Sequence, residues 1–162
     1  MQRSRSFVAL RAVLLALACT SVLAACGLPF DLRTPDDFAR VERPPPPYRW
    51  RAVSAYGVAM GVRTAENETH AALDFWVEAI DRTLRRGATY TPAGMTSIRS
   101  ANGVPGRRLE YRYGDPNAGS VYIVVVFTTS DRVHIVEAGG APDAMARARP
   151  GVERAIASYV AR

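Results

Sequence analysis

From Trp50 onward the apolar positions switch between two periods. Residues 50–54 and 58–63 read as strands separated by Tyr56-Gly57. In the second, Val58, Met60 and Val62 alternate with Ala59, Gly61 and Arg63, the two-residue repeat of a half-buried strand. The period then lengthens. Leu73, Trp76, Val77, Ile80 and Leu84 share one face at helical spacing and predict a helix over 69–86. Asn67 or Thr69 is placed to cap its start and Gly87 to end it, with Arg85 and Arg86 at the negative end of the dipole.

Strand signals return at 95–100 and 106–113, joined by Asn102-Gly103, two residues that tolerate positive φ in a hairpin. Leu109, Tyr111 and Tyr113 alternate with Arg108, Glu110 and Arg112, so one face of that strand is wet. After a turn cluster at 114–119, residues 121–128 are nearly all β-branched or aromatic, the composition of a central strand covered on both faces. A turn at 130–131 leads into a strand at 133–138. The last helix is expected over 142–160, with Met145, Val152, Ile156 and Tyr159 as its apolar stripe and Pro142 at its first position. Pro150 removes a helical hydrogen bond and is expected to kink or split it.

The order β-β-α-β-β-β-β-α, with short hairpins and a central strand lacking a polar face, predicts an α+β fold. It is an α/β sandwich in which a largely antiparallel sheet of about six strands is flanked by two helices. Residues 48–162 are long enough for one such domain.

What precedes the domain changes the picture from fold to address. Residues 1–25 carry Arg3, Arg5 and Arg11, then an apolar run from Ala12, and exit through Leu23-Ala24-Ala25-Cys26. A basic start, a short apolar stretch and small residues at the exit are the layout of a signal peptide. The run is short for a membrane span, which needs roughly 20 apolar residues. The Leu-Ala-Ala-Cys exit resembles the bacterial lipobox. That resemblance implies a diacylglyceryl thioether on Cys26, with Leu23, Ala24 and Ala25 as the signal-peptidase recognition residues. The covalent lipid is then the anchor, and no other cofactor is expected. Gly27, where Asp would favour inner-membrane retention, implies an outer-membrane protein facing the periplasm. In a single-membrane host the position is the outer leaflet of the cytoplasmic membrane. The other cysteine, Cys19, leaves with the signal peptide, so no disulfide or cysteine metal site is expected.

Residues 26–47 follow as a tether. They end in four consecutive prolines, Pro44 to Pro47, which favour an extended rod that could hold the domain roughly 60 Å from the membrane. Alternatively the segment docks on a partner through Pro29, Phe30, Leu32 and Phe38. All 21 basic residues are Arg, and the formal charge of +6 falls to +3 once Arg3, Arg5 and Arg11 are removed. That is an ordinary solubility charge, and export argues against nucleic acid as a partner.

The mature domain resembles the PsbP-like superfamily, which includes small envelope lipoproteins of the DcrB type. The resemblance is carried by Leu73-Asp74-Phe75-Trp76 on a helix after a strand pair and by the Asn102-Gly103-Val104-Pro105-Gly106 hairpin. The third feature is Ile135 to Gly140, leading into a terminal helix. It implies an antiparallel sheet flanked by helices and a non-catalytic accessory or binding role. No functional residues carry over.

Chemistry-bearing residues are sparse. His70 and His134 lie in no nucleophile motif, and a surface His70 and a packed or edge His134 are expected. Glu66, Glu68 and His70 alternate, but acids near a helix N-terminus explain them without a metal. Glu137 shares parity with Val133 and Ile135, so it is read as partly buried, either an ion-pair partner for an Arg or a site acid. Gly139-Gly140 is read as a turn rather than an anion cradle. Asn67-Glu68-Thr69 matches a glycosylation acceptor by chance. Arg107, Arg108 and Arg112 form a possible basic binding patch for anionic lipid, glycan or an acidic protein surface. These readings together predict a membrane-anchored accessory module that binds an envelope protein. The alternative is a periplasmic binder of a small molecule or an anionic glycan or lipid.

Overall fold

A computed structural model describes residues 27–87, 90–115 and 119–162. Seven strands form one antiparallel sheet in the order β2-β3-β4-β8-β7-β6-β5. They are β2 (Phe38–Arg40), β3 (Trp50–Ser54), β4 (Ala59–Glu66), β5 (Tyr90–Arg99), β6 (Pro105–Tyr113), β7 (Ser120–Thr128) and β8 (Arg132–Gly140). β1 (Phe30–Asp31) pairs with β9 (Val160–Ala161) in a small second sheet. The two helices are α1 (Leu73–Gly87) and α2 (Pro142–Ala157). No helix among the described residues is long and apolar enough to cross a membrane.

The alternation along β7 explains the two-sided core. Val121, Ile123, Val125 and Phe127 point into the cluster under α2, with Met145, Val152, Ile156 and Tyr159. Val124 and Val126 point the other way, under Val77 of α1. A strand buried on both faces can afford no polar position, which accounts for the continuous apolar run.

Several expectations are corrected. The segment read as a free rod is folded onto the domain. Phe30 and Phe38 are core residues, β2 extends the main sheet against β3, and Gly151 of α2 makes room for the Asp37 carboxylate. Pairing and burial of two aromatic rings outweigh the stiffness of the prolines. The proline run ends in a turn, with Tyr48 N donating to Pro45 O (3.1 Å). α2 runs continuously through Pro150, which is exposed. The carbonyl it orphans belongs to Ala146, also on the exposed side, where water can take up the lost bond.

The Asn102-Gly103 hairpin needs only one left-handed residue. Gly103 has φ 85° and Asn102 does not share it. Gly103 N donates to Ser100 O and Ser100 N to Val104 O, a three-residue loop closed by a left-handed glycine. That frees the Asn102 amide to pair with both backbone groups of Ala161 (2.6 and 3.1 Å), clamping β9. Gly139 and Gly140 lie inside β8, not in a turn. A Cβ on Gly140 would meet Val58 at 2.8 Å, so close approach of the chain, not a bend, requires it. Asn67 precedes α1 by a full loop. Its side chain accepts from Ala71 N and Trp76 Nε1 and donates to Ala71 O and Thr129 O. It is buried, which makes it a loop organiser rather than a cap or a sugar acceptor.

Candidate functional site

Among the described residues only one helix covers the α1 face of a seven-stranded sheet, and α1 packs on β5, β6 and β7. Beside it, over β8 and β4, a groove of about 250 Å³ remains. Trp76, Ile80 and Leu84 wall it from the helix, and Val124, Val133 and Ile135 form its floor. The space exists because Ala79 and Thr83, one turn apart on α1, face Ala65 on β4. Larger side chains at these positions would close it.

The polar end of the groove is set by strand register. Glu137 continues the parity of Val133 and Ile135 and so points to the α1 face. Gly61 is its direct partner on β4 and Arg63 pairs with Ile135, making Arg63 a diagonal neighbour of Glu137 within reach of a long side chain. Arg63 donates to Glu137 Oε1 through Nε (3.1 Å) and Nη2 (2.6 Å). The ion pair read from the sequence therefore forms. Glu137 is only 5% exposed, and its second oxygen, Oε2, is closed off from solvent.

Gly61 leaves room on the same face for the Tyr48 ring, which a Cβ there would meet at 2.5 Å. Tyr48 also lies under the Arg51 guanidinium (5.4 Å). Together with Tyr122 it borders a smaller hollow of about 120 Å³ on the far side of Glu137. The Tyr48 and Tyr122 phenols are both raised above the usual phenol range, by burial first, then by the charge of the Glu137 carboxylate and by hydrogen bonding to it. They are neutral donors near pH 7 and poor nucleophiles. The result is an apolar slot closed at its polar end by the Arg63–Glu137 pair and Tyr122.

His134 does not join this site. Its parity sends it to the opposite face of β8, fully buried, with Nδ1 2.9 Å from the Tyr159 hydroxyl. Burial lowers its pKa to about 4, so it is a neutral packed imidazole. His70 sits at φ 49° in the loop before α1, its Nδ1 2.6 Å from Ser130 O. Among the described residues no cluster of three His, Cys, Asp or Glu could hold a metal.

The three arginines of the basic stripe are separated. Arg107 shares the α1 face with Leu109 and bonds Asp74 (3.3 Å) and Ser97 (3.0 Å). Arg108 points to the other face and pairs with Glu110 (2.9 Å) and Glu153 (3.1 Å). Arg112 is exposed at the strand end. Alternation along one strand splits neighbours 107 and 108 between faces, and local acids neutralise both. Leu23, Ala24, Ala25 and Cys26 lie outside the described residues.

Glu137 was legible by parity, but Tyr48, Arg63 and Tyr122 were missed as site residues, because they meet it only through the β4–β8 and β7–β8 registers and the fold-back at the proline run. The available signal was Gly61 in a strand, which marks a close approach.

No family model and no curated protein matches the sequence. Solved structures do match. LpqN of Mycobacterium tuberculosis, involved in cell envelope biogenesis, superposes with a TM-score of 0.64 at 11% identity, covering 81% of this chain and 82% of that one. PA94 of Pseudomonas aeruginosa, of unknown function, gives 0.59 at 12% identity over 85% of this chain and 88% of that one. The PsbP protein of the cyanobacterium Synechocystis gives 0.51 at 11% identity, over 85% and 96% respectively. At such identities the likeness speaks for architecture alone, and the architecture is the PsbP-like α+β fold.

Proposed function

We propose that this is a lipid-anchored envelope protein with a non-catalytic accessory role, which binds a second envelope protein along its β5 edge. The observation that carries the reading is that edge. β5 is ten residues long, ends the sheet, and is exposed along nearly its whole length. Natural sheets protect such edges with charge, proline, bulges or a covering element. Here Pro92 and a bulge before Gly94 guard only the first half. From Gly94 to Arg99 the outer backbone groups are free to pair with an extended segment, beside Met95, which is 54% exposed.

The lipid anchor fits this role. Cys26 is four residues from Phe30, which is in the core, and at most ~3.6 Å per residue spans about 14 Å. The domain is thus held against the membrane rather than on a long rod. An envelope-biogenesis protein among the similar folds supports an envelope role at that coarse level. Binding of an anionic glycan or lipid has less support, since Arg107 and Arg108 are already paired.

Two experiments test the reading. Cys26→Ser is expected to abolish lipid labelling and leave unprocessed precursor, and normal processing would overturn the anchor. A photo-crosslinking residue at Thr96 is expected to capture one stoichiometric envelope protein in cells, with Met95→Lys suppressing the adduct. A Thr96 probe that captures nothing, while a probe on α2 does, would move the interface elsewhere.

A further inference from the structure

We infer that the partner taken along the β5 edge is a second copy of this chain, joined by antiparallel pairing of β5 with β5 about a two-fold axis at Ser97. The inference rests on the reading of that edge as the docking surface, and it names the occupant.

The direction of the backbone groups comes first. Ser100 N donates to Val104 O across the hairpin, and Pro105, opposite Arg99, has no N–H to give. Bonded and non-bonded pairs alternate along an antiparallel ladder. Thr96 and Ile98 therefore direct their backbone groups to β6, while Met95, Ser97 and Arg99 turn theirs outward. The irregularity between Pro92 and Gly94 bounds this stretch on one side, and the turn after Ser100 bounds it on the other. Its midpoint is Ser97.

A two-fold axis normal to the sheet at that midpoint sets Ser97 against Ser97 of the second copy and Met95 against its Arg99. Each outward N–H and C=O of the stretch then meets a complementary group. A slip by one residue would oppose side chains of different faces. A slip by two carries Arg99 into the bulge or Met95 into the turn.

The side chains agree with this register. Ile98 packs on the cluster under α2, and Thr96 shares its face. The pairing brings each Thr96 against Ile98 of the second copy, two β-branched side chains that suit a cross-strand pair. Met95 lies opposite Leu109 on the α1 face and takes the aliphatic stem of the other Arg99. Arg99 is the only charged residue of β5. The two copies of it stand four positions apart, about 14 Å at 3.4 Å per residue. That exceeds the screening length of about 8 Å in physiological salt.

The anchor is compatible with the same axis. Phe30 belongs to the cluster under α2, so the segment that carries it lies on the α2 face. Rotation about an axis normal to the sheet keeps both α2 faces on one side. Both lipid anchors then reach a single membrane, where confinement raises the effective concentration of one copy for the other.

Cysteine crosslinking of the full chain in cells reads the register. A disulfide needs Cα atoms within about 7 Å, and residues opposed in a bonded pair stand about 5.5 Å apart. Ser97→Cys is expected to give a covalent dimer under mild oxidant. Met95→Cys alone is expected to give none, and Met95→Cys coexpressed with Arg99→Cys to give a dimer again. The unsubstituted chain controls for Cys26. Ser97→Pro removes an outward N–H that the chain's own ladder does not use, a place where an edge strand tolerates proline. It is expected to keep its melting curve and to weaken dimerisation at least tenfold in sedimentation of the detergent-solubilised chain. No dimer from Ser97→Cys, equal crosslinking through Met95→Cys, or undiminished dimer in Ser97→Pro would each overturn the inference. If Ser97→Cys gives no dimer while the Thr96 probe captures a different protein, the edge reading stands and self-pairing falls. If neither position captures anything, both fall.

Discussion

The two faces of the sheet use the same strands but are closed to different standards. Under α2 the packing is complete. Tyr159 lies stacked between Phe30 (5.5 Å) and Phe127 (5.3 Å), and Met145, Ala148, Val152 and Ala155 are inaccessible. Under α1 only Val77 is fully enclosed from the helix, while Leu73, Trp76, Ile80 and Leu84 are half-buried. Phe75 is 57% exposed. A protein under selection for stability alone would fill the second face as it fills the first. The α2 face supplies a rigid base, and the α1 face is packed more loosely.

The largest break in this comparison comes from deleting a ring on the tight side. Tyr159→Ala removes a stacked, fully buried aromatic and the partner of His134, and should cost about 3–5 kcal/mol by urea unfolding. Ile80→Ala on the loose side should cost about 1–2 kcal/mol, because part of the side chain already faces the groove. Equal losses would mean the two faces bear load alike.

Next in size is the buried ion pair. Arg63→Met leaves Glu137 buried and uncompensated, at an expected cost of about 2–3 kcal/mol, less than for a fully enclosed pair because Arg63 is partly exposed. Adding Glu137→Gln should recover at least half of that. An additive double mutant would show that the carboxylate is not dependent on Arg63.

Acid should loosen the α2 face in two stages. Burial holds His134 at about 4 in the folded chain, against 6.5 as its ordinary value. Between those values the unfolded chain binds more protons, so stability falls as pH drops from 6.5 to 4 and this contribution then levels off. Glu110 is held down to about 2, foremost by the Arg149 guanidinium of α2 and also by Arg108, against an ordinary 4.5. Its stabilisation is whole above pH 4.5 and is lost as pH falls towards 2. Melting temperature against pH should show both declines, and Glu110→Gln should flatten only the lower one.

The long elements were legible because their periodicity extends over many residues. The face of α1 and the two-sided burial of β7 follow directly from their apolar spacing. β1, β2 and β9 were not legible, since two or three residues carry no period. They exist because Phe30, Phe38 and Ala161 find partners far along the chain. Phe30 and Phe38 stand out in the sequence as apolar anchors for docking on a partner, but what they dock on is this domain. Of the candidate site, parity gave Glu137 and its ion pair. Long-range register supplied Arg63, and the small residues Ala65, Ala79 and Thr83 gained meaning only when the topology set them face to face.

The smallest effect tests whether the N-terminal segment is truly part of the tight face. Gly151 lies inside α2, where Ala should stabilise the helix by about 1 kcal/mol. A Cβ there would stand 2.7 Å from Asp37 Oδ1, displacing a carboxylate that faces Arg154 at 3.8 Å. Arg33, a few residues earlier, is held by its backbone N–H to Ser158 Oγ (3.0 Å). Gly151→Ala is therefore expected to leave global stability nearly unchanged, the helix gain being offset by the lost contact. Trypsin cleavage after Arg33 or Arg40 should accelerate severalfold in the native state. If stability instead rises by the full helix increment and cleavage stays as slow as before, the Asp37 contact holds nothing. The docking of the N-terminal segment would then rest on Phe30 and Phe38 alone.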